Sequence, residues 1–204
     1  MTFDLRPAVE PVAAVAGGVS ADQFRLPTPN PDWPVGVLVV HLLTLTDAFT
    51  DGARKVPRHD TPEPTGDVPD GWQDELRSRL DGLVEAWRDP AAWAGEATVG
   101  GVTLPAGLTA AVVTDELVVH GWDLARATGQ PYEPDPGMVA AALGFAEQFA
   151  DLEGGPFGPS LPVPAGCGDL DRLLRRTGRD PGWTGSSRPG GTRRPGPARR
   201  PSAG

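Results

Sequence analysis

Residues 105–129 read PAGLTAAVVTDELVVHGWDLARATG, and the fold turns on this run. Leu117, Val118 and Val119 follow one another directly, so apolar residues face more than one side. A helix that is apolar on several sides sits centrally in a domain and not at its edge. Gly129 suits the left-handed residue that ends a helix, and the spacing predicts a helix over 105–128. Positions three and four apart share a face, which aligns Thr109, Val112, Glu116, His120, Asp123 and Ala127. A carboxylate buried alone in such surroundings is expensive and needs a cation.

A second histidine poses the same problem. His41 lies in PVGVLVVHLLTLTDAFTDGAR, a run expected to be helical over about 34–54, on a face with Val37, Leu38, Thr44, Leu45 and Ala48. Glu116-x-x-x-His120 on one helix and His41 on another can converge inside a bundle as three ligands for a divalent metal. Such a set leaves coordination positions open for water or substrate. The same spacing also fits histidines that are merely satisfied within the core, and spacing alone leaves both readings standing. Asp123 either orients the His120 imidazole from behind or faces solvent. His59, in the polar loop VPRHDTP, reads as a solvated surface residue. Cys167, in a Pro/Gly-rich stretch, reads as an incidental thiol and not a fourth ligand. Trp33 and Trp122 are expected to pack, with pocket walls as the lesser role.

Helices also fill the rest of the chain. The first is expected over Leu5–Ala16, with Asp4 as N-cap, Pro7 in the first turn and Pro11 kinking it or delaying its start. SADQ at 20–23 has the spacing of a capping box, and PTPNPDWP is an extended connector in which Asp32 can cap and Pro34 can enter the next helix. After the turn-rich loop KVPRHDTPEPTGDVPDG, residues 71–88 carry Trp72, Leu76, Leu80, Leu83 and Trp87 as one apolar stripe. GEATVGGVTLPAG reads as a loop or small hairpin. A fifth helix is expected over about 136–150 with Asp135 as cap, and a short one over about 169–177. The class expected is all-α, an up-and-down bundle with short extra C-terminal helices.

Composition narrows the function classes. Residues 185–204, GSSRPGGTRRPGPARRPSAG, hold five arginines and no acid, leaving 13 basic against 27 acidic groups in 1–184, a net of −14. That acidic body argues against nucleic acid as a partner. The tail has no apolar periodicity and is expected to be disordered, with 1–184 as the one folded domain. No run of eighteen apolar residues argues for a membrane span. The N-terminus lacks the basic start and unbroken apolar core of a signal peptide. One cysteine forms no internal disulfide, and a cytoplasmic location is the default.

Four segments, FDLRPA, PTPNPDWPVGVLVVHLL, DELVVHGWDLARATGQPY and LDRLLRRTGRDPGW, resemble in order and spacing a known family. It comprises actinobacterial metal-binding proteins related to the N-terminal domain of mycothiol-dependent maleylpyruvate isomerase, within the DinB-like (YfiT-like) four-helix-bundle superfamily. The resemblance spans about residues 3–183. It implies a divalent metal, zinc first among candidates, on His41, Glu116 and His120. It also implies a low-molecular-weight thiol such as mycothiol as co-substrate, since a bound cation favours the thiolate that attacks an electrophile. Three departures stand out: TPN at Thr28–Asn30 where relatives often carry TPC, Val37 and Val40 where acids are common, and only a short helix and basic tail after residue 165. The last sets the isomerase reaction itself aside.

Two functions are therefore carried forward. One is a metal- and thiol-dependent transferase or isomerase acting on a small electrophile. The other is a non-catalytic metal-binding bundle with a structural or ligand-sensing role. Arg126 points away from the ligand face, and no substrate-gripping arginine stands beside it in sequence. A weak homodimer through apolar helix faces is compatible with either, and no membrane partner is expected.

Overall fold

The computed structural model describes residues 2–57, 62–153 and 155–185. Its elements are helices α1 (Arg6–Gly17), α2 (Val35–Ala53), α3 (Trp72–Arg88), α4 (Ala106–Thr128), α5 (Pro136–Phe149) and α6 (Asp169–Arg176), and one hairpin, β1 (Glu96–Val99) with β2 (Val102–Pro105). The class is helical, as expected, and the segment read as a loop or small hairpin is the hairpin. The expected disordered tail and His59 lie outside the described residues, apart from Gly185.

The core forms where the apolar faces of α1 to α4 meet: α2 on α3 and α4, and α1 on α3 and α4. Leu76, Leu80 and Leu83 of the α3 stripe are fully buried, with Trp72 and Trp87 beside them. Together with Leu38, Leu42, Val113, Leu117 and Val118 they make one continuous cluster. α5 packs on α4, and α6 on α5. α2 is long and apolar enough to cross a membrane by length and composition, yet 67% of its most apolar window is buried in the fold.

Several ends differ from expectation, each for a local reason. The N-cap of α1 is Leu5, not Asp4; Asp4 Oδ1 instead accepts the Arg6 N–H at 2.9 Å. α1 neither starts late nor stops at Pro11 but continues through it. Proline there removes one donor from the ladder, while the neighbours Val9 and Val12 are buried in the core. Asp32 does not cap α2. Pro34 occupies the N-cap position, and the orphan N–H groups of Val35 and Gly36 donate to the carbonyls of Leu26 and Phe24 at 3.0 and 2.9 Å.

Asp135 caps α5 as expected, its Oδ1 accepting from Gly137 and Met138. The strands β1 and β2 pair antiparallel with Val99 opposite Val102. Gly100 and Gly101, at φ 58° and 77°, form the turn between them, the positive-φ pair that matches strand twist in a tight hairpin.

Candidate metal centre

The connector before α2 sets one wall of the site. Thr28 is buried, and its hydroxyl donates to the Trp33 carbonyl at 2.6 Å while accepting the Asn30 N–H at 3.2 Å. This pins the TPN turn and fixes Trp33 at the mouth of α2. The Trp33 ring lies 4.3 Å from the His41 ring and 5.5 Å from that of His120, centroid to centroid. Trp33 is therefore a wall of the site. Trp122 is buried with the Arg126 guanidinium 5.7 Å over its ring, and it lies away from the cavity.

α4 brings the second wall, and its backbone comes close to the segment that follows it. A Cβ at Gly121 would sit 2.6 Å from the Tyr132 hydroxyl, so only glycine admits Tyr132 there. That hydroxyl donates to the Val118 carbonyl at 3.0 Å, and burial raises its pKa.

Glu116 and His120 face α2, one turn apart, and His41 meets them from the other helix. Glu116 Oε2 lies 3.2 Å from His41 Nε2 and 3.1 Å from His120 Nε2. One ligand atom from each of the three residues falls within 4.8 Å of the others, and they form the group of this kind found among the described residues. Cys167 is free and does not join it.

Behind His120, Asp123 is fully buried. Its Oδ2 takes the His120 Nδ1 at 3.1 Å and the Arg179 Nη2 at 3.2 Å. Of the two alternatives for Asp123, solvent exposure is therefore out: the side chain sits against the imidazole. With Nδ1–H donated to Asp123, Nε2 is the nitrogen turned toward Glu116, donating to it when the ring is charged and free to bind a metal once that proton is released.

The electrostatics describe a place that attracts positive charge. Burial works to raise the Glu116 carboxyl, but hydrogen bonds and charge from His120 and His41 outweigh it and hold it well below the usual range. Burial works to lower the His120 imidazolium, and hydrogen bonds to Asp123 and Glu116 reverse that, lifting it to about 9. In both cases the groups are stabilised in their charged forms by each other. A cation at the shared point would meet the same partners.

Two residues of the site were not singled out in the sequence. Asp115 is buried, lines the same cavity, and its Oδ1 has no hydrogen-bond partner. Burial, with Glu116 adjacent, holds its carboxyl well above the usual range. The signal for it was an acid in a run that is buried on every side. Arg179, 56 positions after Asp123, also lines the cavity, and no local spacing points to it. Arg126 behaves as expected and turns outward to the Pro181 carbonyl. The cavity over the three groups measures about 500 Å³, and Phe145, Phe157 and Gly178 are among its other lining residues.

The family model described as Mycothiol maleylpyruvate isomerase N-terminal domain matches residues 5–125, more than half of the chain and including His41, Glu116, His120 and Asp123. The chain belongs to this family. Two uncharacterized proteins of Mycobacterium tuberculosis, from strains CDC 1551 / Oshkosh and ATCC 25618 / H37Rv, are each 31% identical over 187 residues. Each alignment covers 84% of this chain and 93% of the relative. Among solved structures, the mycothiol-dependent maleylpyruvate isomerase matches at 19% identity and a TM-score of 0.51. A histidine-to-alanine mutant of it matches at 18% and 0.50. Both cover 69% of this chain but 64% of the isomerase, so the likeness is one of fold and spans just under two thirds of that enzyme. The isomerase-domain match ends within α4, so α5, α6 and Arg179 lie beyond it.

Proposed function

We propose that His41, Glu116 and His120 hold a divalent metal ion, zinc, and that the protein uses it with a small thiol, mycothiol, against an electrophile. The helices would then form a DinB-like up-and-down four-helix bundle, with 1–184 as the metal-binding domain and 185–204 as a disordered appendage. The observation that carries this is the convergence of two imidazole Nε2 atoms on one carboxylate oxygen, at 3.2 and 3.1 Å, beside an open cavity.

The donor set fits such an ion. Two neutral imidazoles and one carboxylate leave a divalent ion with net positive charge and fewer than four protein ligands. Asp123 supplies the hydrogen bond that metal-bound histidines characteristically make through their other nitrogen. Arg179 holds Asp123 in turn. A bound divalent cation at this place would stabilise a thiolate at neutral pH.

The chain's own residues do the rest. Trp33 shields His41 from bulk water, Phe145 and Phe157 give the cavity apolar sides, and Asp115 offers a polar atom that nothing else uses. Burial holds its carboxyl above the usual range, which favours a hydrogen-bonding over a charged role for Asp115 toward a ligand in the cavity.

The test is conjugation of mycothiol to a general electrophile by the zinc-loaded full chain. Turnover that disappears in the His120→Ala protein is the result expected. A rate equal to that of the metal-free chain favours the second reading, a metal-binding bundle without catalysis. Its support is that the likeness to the isomerase structures leaves 36% of that enzyme unmatched.

A further inference from the structure

A second cavity adjoins the one over the histidines and shares wall residues with it. Val112, Phe145 and Pro156 line both the first and this second space of about 450 Å³ between the hairpin and the α4–α5 pair. The second space is walled by Phe49, Leu104, Phe149 and Leu152, and no Asp, Glu, Lys, Arg or His is among its lining residues. Thr109 is its polar member, and its hydroxyl is turned to the Pro105 carbonyl of its own helix. Val102 and Leu152, also in its lining, are 56% and 58% exposed, among the few large apolar residues that the described chain leaves in water.

α4 joins the two spaces along one face. Thr109 lines the apolar cavity, Val112 lines both, and Glu116 and His120 line the polar one. From residue 109 to residue 116 the helix rises about 10 Å, the reach of a short aliphatic chain or an aromatic ring with a substituent.

We infer that the second cavity is a subsite for the apolar tail of the molecule whose reactive end lies at His41, Glu116 and His120. The occupant is an elongated electrophile with an uncharged, apolar tail, since no charged side chain lines the second cavity. This rests on the proposed function for the chemistry at the polar end and adds the class of substrate. A volume of 450 Å³ is within the range of small-molecule sites, and its position beside the polar cavity, with three wall residues in common, favours a small molecule over a protein surface.

The full chain, metal-free and zinc-loaded, is titrated with straight-chain alcohols from butanol to decanol against the neutral fluorophore N-phenyl-1-naphthylamine. Affinity should strengthen roughly two- to fourfold per methylene in both metal states. Leu104→Asp should weaken decanol by at least about tenfold on the same scale. Leu152→Asp, at an exposed position and so safe for folding, should do so by about fivefold. In the zinc-loaded chain decanethiol should bind more tightly than decanol. An affinity that ignores chain length, or that both variants leave unchanged, overturns the subsite. Equal binding of decanol and decanethiol with zinc present overturns the single ligand spanning both cavities. A dimer in sedimentation that alcohols neither enter nor dissociate assigns the apolar face to a second copy instead. Should the chain take up no zinc while the chain-length series persists, the metal reading fails and the apolar subsite stands.

Discussion

α3 and α4 both line the core, and they handle polar groups in opposite ways. α3 keeps Trp72, Leu76, Leu80, Leu83 and Trp87 inside and turns its acids and arginines to solvent or to surface pairs. α4 buries Asp115, His120 and Asp123 along with its leucines and valines, and half-buries Glu116. Burial of apolar side chains alone explains α3. It does not explain α4, because buried ionisable groups oppose folding unless they are paired. The contrast shows where stability and function divide: one helix is shaped by the core, the other by what the core is built around.

Breaking the apolar side of the comparison should have the largest effect on stability. Leu80 is fully buried in α3, and Leu80→Ala should cost about 2–5 kcal/mol in denaturant unfolding. Metal bound per folded chain should not change.

The polar side should show itself through pH. In the metal-free protein His120 has a folded pKa of about 9 against 6.5 unfolded. Its stabilising contribution is then fully present below 6.5 and is lost as pH rises to about 9, on the order of 3 kcal/mol. Asp115, raised by burial, works in the same direction at lower pH, since its ionisation above the ordinary carboxylate range opposes folding. Metal affinity should run the other way and rise across pH 6.5 to 9, because His120 must release its proton to bind. Unfolding curves at several pH values, with and without chelator, check both slopes. A stability that is flat across this window would contradict the pairing of His120 with Glu116 and Asp123.

Asp123→Asn sharpens the comparison further. It keeps the shape and weakens the orientation of His120, so zinc affinity should fall about 10- to 100-fold while the metal remains bound at saturation. Competition with a chromophoric chelator measures this. The smallest effect belongs to a cap remote from both: Asp135→Ala should cost about 1 kcal/mol in thermal unfolding, with metal affinity unaltered.

How much of this was legible in the sequence follows from the same division. The stripe of α3, the Asp135 cap and the Gly129 stop are local signals, and the structure carries them at the expected places. The extent of α2 agrees with expectation to within a residue, but Asp32 does not cap it, because its orphan donors are satisfied by Phe24 and Leu26 through tertiary hydrogen bonds that no capping rule encodes. Pro11 is expected to kink α1 or delay its start, yet the helix begins at Arg6 and passes through Pro11 with Val9 and Val12 buried on either side. At the site, the i,i+4 spacing of Glu116 and His120 and the apolar setting of His41 were visible before the fold was known. Arg179 was not, since its link to Asp123 exists only once α6 packs on α5 and the turn after it reaches α4. Asp115 was visible as a letter but not as a problem, because its orphaned oxygen appears only when every side of α4 is covered.

The most direct measurement is metal content by mass spectrometry of the purified full chain after zinc loading and dialysis, alongside His41→Ala and His120→Ala. One zinc per chain in the unaltered protein and less than about a tenth of that in each variant is the predicted result, as loss of one of three ligands removes a site of this kind. One zinc retained in both variants, or none in the unaltered chain, would contradict the assignment of these three side chains to a metal.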